Sequence, residues 1–235
     1  MFEIRFPRVS TEERPIVYSE EIGAEYINSI HPDYSVDDNV EKTKNLTKEE
    51  VDDVVSGNYK KDKVVAYGIT HYKYEDCKKE DLVDIGGIKV HRKCAEAFEE
   101  MKKAAVKEGV NIRIVSGFRS TQYQKTVFKK KFGVQNSPTD KEFEARLRFS
   151  APSGFSEHHT GLAIDINSTE QSFANTKEYK WLQEHASEYG FEMSFPENGK
   201  QGLGFEPWHW RYIGKEEDES AGVYREIFKA AREGK

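Results

Sequence analysis

Two short segments constrain this chain more than any other feature: Ser156-Glu157-His158-His159-Thr160-Gly161-Leu162-Ala163-Ile164-Asp165 and, further on, Glu206-Pro207-Trp208-His209. Gly161 allows a tight turn after His158, and Leu162 to Ile166 then reads as a short strand. Side chains alternate along a strand, so Ala163 and Asp165 share one face while Leu162, Ile164 and Ile166 take the other. Asp165 therefore points out of an apolar core towards His158, and Ala163 is small enough to leave room beneath an ion. Pro207 disfavours helical geometry at Glu206 and removes a ladder donor. A local bend there brings Glu206 and His209 to one place. If the two segments pair in a sheet, two imidazoles and a carboxylate converge with one carboxylate to spare. Three protein ligands leave a fourth zinc position for water, and the spare glutamate can take that water's proton. Taken singly, each segment has an ordinary reading, as a solvated histidine or a buried aspartate serving a turn. Taken together they read as a zinc hydrolase.

The rest of the chain supplies a frame for these segments. His91 to Glu108 reads as an amphipathic helix, with Ala95, Phe98, Met101 and Ala105 at helical spacing and Gly109 as its stop. Asn111 to Val115 reads as a strand that delivers Ser116-Gly117-Phe118-Arg119-Ser120 at its end. Helices are expected over Thr121 to Phe132, Lys141 to Phe149, Tyr179 to Tyr189 and Ala221 to Ala231, and strands over Phe191 to Ser194 and Trp208 to Ile213. Such an order predicts an α+β domain with a small, mainly antiparallel sheet flanked by helices. Residues 1–80 are more charged and less periodic. Thr47-Lys48-Glu49-Glu50 resembles a capping box, and the region is expected to be an N-terminal extension packed on a catalytic domain of residues 81–235.

Composition excludes more than it selects. The 235 residues are 33% charged with a net charge of -6, which gives no reason to expect nucleic acid as a partner. No apolar run approaches the length needed to cross a bilayer. Met1 to Phe6 lacks the apolar stretch of a secretory signal. The expected location is the cell envelope if a leader has been removed, and the cytoplasm otherwise. Cys77 and Cys94 form no CxxC pair, so two free thiols are expected, with one disulfide as the alternative in an exported protein. The chain has no His-Glu-x-x-His helix, no Gly-x-Ser-x-Gly elbow and no phosphate-binding Gly-x-x-x-x-Gly-Lys loop. A serine-type hydrolase of the α/β kind is thereby set aside.

Arg119 follows a strand and a glycine turn, so its guanidinium can reach a cleft and bind a carboxylate bidentately or stabilise an oxyanion. On its own residues, a surface arginine is the more ordinary role. Ser153 and Ser156 flank the turn into His158; their hydroxyls can receive a peptide carboxylate or simply hold the turn. Ser156 is expected to brace the His158 loop and Ser153 to touch substrate. His159 is expected behind the ligands or in a pocket wall. Trp208 and Trp210 are expected in the core or in the pocket wall, and His31, His71, His91 and His185 as ordinary surface or core residues.

Ser156-x-His158-x-x-Gly161-x-Ala163-x-Asp165 and Glu206-x-x-His209 resemble the two signatures of the LAS peptidases (peptidase family M15), the group that contains the VanY-type D-alanyl-D-alanine carboxypeptidases. The likeness extends to Ser116-Gly117-Phe118-Arg119-Ser120 with Gln124, and to Gly204 through Arg211, covering about Asp81 to Gly214. The resemblance implies the hedgehog-like zinc peptidase fold and one zinc ion per chain on His158, Asp165 and His209. It further implies Glu206 as catalytic base, Arg119 in substrate and transition-state binding, and Gln124 as a contact to a substrate amide. The implied substrate is a peptidoglycan stem peptide ending in D-Ala, and a monomer is expected. One departure is visible: Pro152-Ser153-Gly154 stands where VanY-like chains usually carry Pro-Pro-Gly. Three other readings stay open. They are L,D-carboxypeptidase or endopeptidase action, a cytoplasmic D,D-dipeptidase, and a zinc-bearing binding module without catalysis. Glu206 beside His209 argues against the last, since binding alone needs no base.

Overall fold

The computed structural model describes residues 46–130 and 138–234. Its centre is an antiparallel four-stranded sheet of β5 (Ile114–Ser116), β6 (Ala163–Ile166), β7 (Phe191–Met193) and β8 (His209–Tyr212). The strands stand in the order β5-β6-β8-β7. Both inner strands are buried at every position. The register sets Asp165 opposite His209 and Ser116 opposite Asp165. Directly opposed residues of an antiparallel pair hold their Cβ atoms ~5 Å apart. The pairing expected of the two segments is thus present, and it brings Asp165 and His209 together.

Two hairpins precede the sheet. The first joins β1 (Lys63–Ala66) to β2 (Ile69–Tyr72), the second β3 (Leu82–Ile85) to β4 (Ile88–His91). Each turns on two residues with positive φ, Tyr67-Gly68 and Gly86-Gly87, the backbone that two-residue hairpins require. The Gly86-Gly87 pair signals its hairpin in the sequence. Tyr67 is a residue that rarely adopts this conformation, so the first turn carries only half of its usual signature.

The helices follow from caps and apolar faces. The helix α1 (Lys48–Ser56) begins at the Thr47 capping box, with Glu50 bonded back to the Thr47 N–H. The helix α2 (Arg92–Lys107) begins at His91, whose Nδ1 accepts the Lys93 N–H, and buries Ala95, Phe98, Met101 and Ala105 as the spacing predicts. Then come α3 (Thr121–Lys130), α4 (Asp140–Phe149) and α5 (Lys177–His185), the last continued by a 3-10 turn over Ala186–Tyr189. The C-terminal helix expected over Ala221 to Ala231 is two pieces, α6 (Gly222–Ile227) and α7 (Lys229–Glu233). The break falls at Phe228, whose fully buried ring lies against Tyr74 and under the Arg211 guanidinium. The strand expected over Asn111 to Val115 starts late, at Ile114. Its first residues are bonded by Asn167, whose side chain accepts from the Arg113 N–H and donates to Asn111 O.

The core has two parts. One joins α2, α5 and the sheet, including Phe98, Met101, Ile164, Leu182, Trp208 and Trp210. The other joins α1 and the first hairpin to α3 and α4 through Val54, Val64, Ile69, Phe128, Phe143 and Leu147. Burial of side chains this size contributes roughly 1.5–3 kcal/mol each. The described part of residues 1–80 is therefore packed into the molecule. Both cysteines are free. Among the described residues, no helix is long and apolar enough to cross a membrane.

Candidate metal centre and substrate cleft

His158 sits in a 3-10 turn, Glu157–Thr160, that ends at Gly161 with φ +67°. A Cβ at Gly161 would lie 3.0 Å from the His91 backbone nitrogen, so the turn needs glycine for both its conformation and its close approach. Ser156 Oγ accepts the His158 N–H at 3.4 Å, bracing the turn. The His158 ring is fixed by Nδ1, 2.7 Å from Gly117 O. A carbonyl only accepts, so Nδ1 carries the proton and Nε2 presents a lone pair. That Nε2 is buried without a hydrogen bond and lies 3.4 Å from Asp165 Oδ1. Burial, with Arg119 nearby, pushes the ring's pKa down to about 4, leaving it neutral.

Two buried acceptors facing each other without a proton call for a cation between them. The third donor completes the case. His209 Nδ1 lies 3.2 Å from Asp165 Oδ1, and its ring stands 4.8 Å from that of His158, nearly perpendicular to it. The donor atoms of His158, Asp165 and His209 all lie within 4.8 Å of one another, and all three residues are buried. Two imidazoles and a carboxylate in this compass suit zinc or a similar divalent ion. Burial opposes charging of His209, yet hydrogen bonds to Asp165 and Glu157 outweigh it and raise its pKa to about 10. Burial likewise opposes ionisation of Asp165, but the charged His209 against it holds its carboxyl well below the usual range.

The expected bend at Pro207 is present. The His209 N–H bonds to Glu206 O at 3.1 Å, closing a turn that sets the Glu206 carboxylate 3.8 Å from His209 Nδ1. Burial raises the Glu206 pKa to about 7, Asp165 adding to the rise and His209 and Arg119 opposing it. Arg119 follows β5 and Gly117; its N–H bonds to His158 O at 3.1 Å. Its Nε is buried without a partner. Gln124, on α3, donates Nε2 to Ala151 O at 2.7 Å and leaves its buried Oε1 unpaired. Arg119, Gln124, Ser156, His158, Glu206 and His209 line one cavity of about 80 Å³. Ser153 does not: its hydroxyl donates to Thr121 O at 2.9 Å, tying the Pro152-Ser153-Gly154 turn to α3. His159 lies behind the cavity, donating from Nδ1 to Arg119 O at 2.6 Å and accepting the Gly154 N–H at 3.1 Å. A larger cavity of about 260 Å³ opens beside Arg211 and Arg232, but none of the candidate ligands lines it.

Several contributors lie outside the residues singled out from sequence. His71 from β2, Tyr74 just after that strand, and Arg148 from α4 also line the cleft. His71 is a core residue bonded to Leu147 O at 2.7 Å. Glu157, buried beside His158, touches His209, Arg211 and Ser194. A charged residue amid buried ones was its only sequence signal. His31 lies outside the described residues.

Gly117 packs closely against β4. A Cβ there would meet Lys89 O at 2.5 Å and Val90 at 2.6 Å. Gly117→Ala is expected to cost about 1–3 kcal/mol through overpacking, and to weaken metal binding because Gly117 O orients His158. Thermal unfolding and a zinc titration check this; a variant with unchanged melting and zinc affinity would contradict the packing described.

The fold is that of the LAS-type zinc peptidases. The chain belongs to the VanY D-alanyl-D-alanine carboxypeptidase family, whose model matches residues 87–215, more than half of the chain. It is 33% identical over 130 residues to a D-alanyl-D-alanine carboxypeptidase of Enterococcus faecium, covering 54% of this chain and 38% of that one. The chain spans less than two thirds of the length of the curated relatives it matches. Among solved structures it resembles the LdcB LD-carboxypeptidase, with TM-score 0.51 and 31% identity over 74% of this chain and 80% of that one. It also resembles a mutant of the D,D-pentapeptidase VanY from a VanB-type vancomycin resistance cassette, solved with Zn(II). There the TM-score is 0.50 and the identity 25%, over 68% of this chain and 86% of that one.

Proposed function

We propose that this protein is a zinc-dependent D-alanyl-D-alanine carboxypeptidase that removes the terminal D-Ala from peptidoglycan stem peptides. The observation that carries the reading is the unpaired His158 Nε2 facing Asp165 beside His209, with Glu206 next to it in one cleft. His158, Asp165 and His209 would hold one zinc ion. When bound, zinc supplies the Lewis acidity that lets water attack an amide at neutral pH.

Glu206 takes the proton of the attacking water and returns it to the departing amine of D-Ala, acting as base and then acid. The half-buried Arg119 brings its guanidinium into the cleft, where it stabilises the developing oxyanion or grips the terminal carboxylate. Gln124 Oε1, an acceptor without a donor, receives a substrate N–H. Ser156 holds the His158 turn. Residues 81–235 form the catalytic domain, and residues 1–80 are an extension that contributes His71 and Tyr74 to the cleft wall. A peptidoglycan substrate argues for action at the cell envelope over the cytoplasm, and the form proposed is a monomer.

A second reading is favoured by one finding: the likeness to the LD-carboxypeptidase exceeds that to the D,D-pentapeptidase in identity. Mass spectrometry of products from pentapeptide and tetrapeptide stems, given in parallel to zinc-loaded protein, decides between them. Loss of one D-Ala from the pentapeptide alone is the expected result. Trimming of the tetrapeptide alone would replace the D,D reading by the L,D one.

A further inference from the structure

The two histidines of the metal centre are held from behind in different ways. His158 leans on a neutral backbone carbonyl, Gly117 O. His209 leans on a charged group: its Nε2 lies 3.0 Å from Glu157 Oε2. Glu157 is 4% exposed, and each of its oxygens has a separate task. Oε2 takes His209 and the Ser194 hydroxyl, the latter at 2.5 Å. Oε1 takes Arg211 Nη1 at 2.6 Å and faces the Tyr74 hydroxyl at 3.5 Å. Arg211 in turn reaches Glu192 at 2.7 Å, and Glu192 reaches Arg232 on α7 at 2.9 Å. A chain of alternating charges therefore runs from His209 to the C-terminal helix.

We propose that Glu157 is a positioning residue that fixes the ring of His209, so that Nδ1 and not Nε2 faces Asp165 and the metal. This rests on the metal centre proposed above. A buried Arg211 alone would explain an acidic partner, but it would not explain why one oxygen turns from the arginine to the ligand. The carboxylate holds the proton on Nε2 and makes the ring a stronger donor at Nδ1, the usual effect of an anionic partner behind a metal-bound imidazole. Arg211, Ser194 and Tyr74 hold the carboxylate in place from its other sides, so the orientation of the His209 ring is built into the fold.

The test is zinc affinity, measured by chelator competition on the whole protein. Glu157→Gln keeps the volume, but its amide has a single acceptor oxygen, so either the His209 and Ser194 side or the Arg211 and Tyr74 side would face an NH2 group that cannot accept. Zinc affinity is expected to fall on the order of 10–100-fold. Glu192→Gln, which weakens only the outer part of the chain, is expected to lower thermal stability and leave zinc affinity within about threefold. Equal zinc affinity in wild type and Glu157→Gln would overturn the proposal while leaving the metal centre standing; no zinc binding by wild type would overturn both. If Glu157→Gln fails to fold, nitrogen-15 histidine spectra of zinc-loaded wild type still decide. A proton on Nε2 of His209 with metal on Nδ1 supports the assignment, and metal on Nε2 contradicts it.

Discussion

Glu206→Gln is expected to leave a folded protein that binds zinc normally but turns over at least about a hundredfold more slowly, the scale of losing a general acid–base group. The carboxylate lies 3.8 Å from His209 Nδ1 and is not one of the three converging donors. Its loss removes the group that accepts and returns the proton, and little else. Burial is the main cause of the raised Glu206 pKa, and His209, Asp165, Arg119 and Glu157 contribute smaller effects of both signs. Gln takes an ionisable group out of this buried place, so the melting temperature is expected to hold or to rise, as often happens when a strained catalytic group is removed. Product release and zinc content, measured on the same preparation, check the result. Full activity in this variant would eliminate Glu206 as the base.

His209→Ala is expected to abolish both zinc binding and turnover, and also to weaken the metal-free protein. His209 makes charged contacts with Asp165 at 3.2 Å, with Glu157 at 3.0 Å and, more distantly, with Glu206 at 3.8 Å. Glu157 retains Arg211 and Ser194 when the ring is lost, whereas Asp165 retains only a neutral His158 that offers it no proton. Removing one partner from a buried charge costs ~3–5 kcal/mol. This variant and Glu206→Gln therefore differ in kind: one loses chemistry alone, the other loses chemistry, metal and stability. Atomic spectroscopy for bound zinc and a thermal scan separate them. Retained zinc in His209→Ala would remove it from the proposed ligand set.

The centre was legible because its parts are local. Gly161 fixes the turn, alternation fixes the face of Asp165, Pro207 fixes the bend, and antiparallel pairing then sets Asp165 against His209. The α2 face and the Thr47 cap were legible for the same reason. What escaped depends on distant partners. Glu157 becomes informative only when Arg211 and His209, more than fifty residues later, fold beside it. His71 and Tyr74 reach the cleft through a hairpin whose turn uses a tyrosine at positive φ. The C-terminal helix breaks because Phe228 is buried under Arg211, a contact that helical periodicity does not contain. Ser153 shows the converse: its place beside the His158 turn suggested substrate, while its hydroxyl is bonded to Thr121 O.

The most direct measurement is a zinc titration of metal-free protein, followed by D-Ala release from a pentapeptide stem. Release is expected to be absent without metal, to rise linearly and to level off at one zinc per chain, with D-Ala and the tetrapeptide as the only products. Release from rigorously metal-free protein, or none after one zinc has bound, would contradict the assignment of a zinc carboxypeptidase.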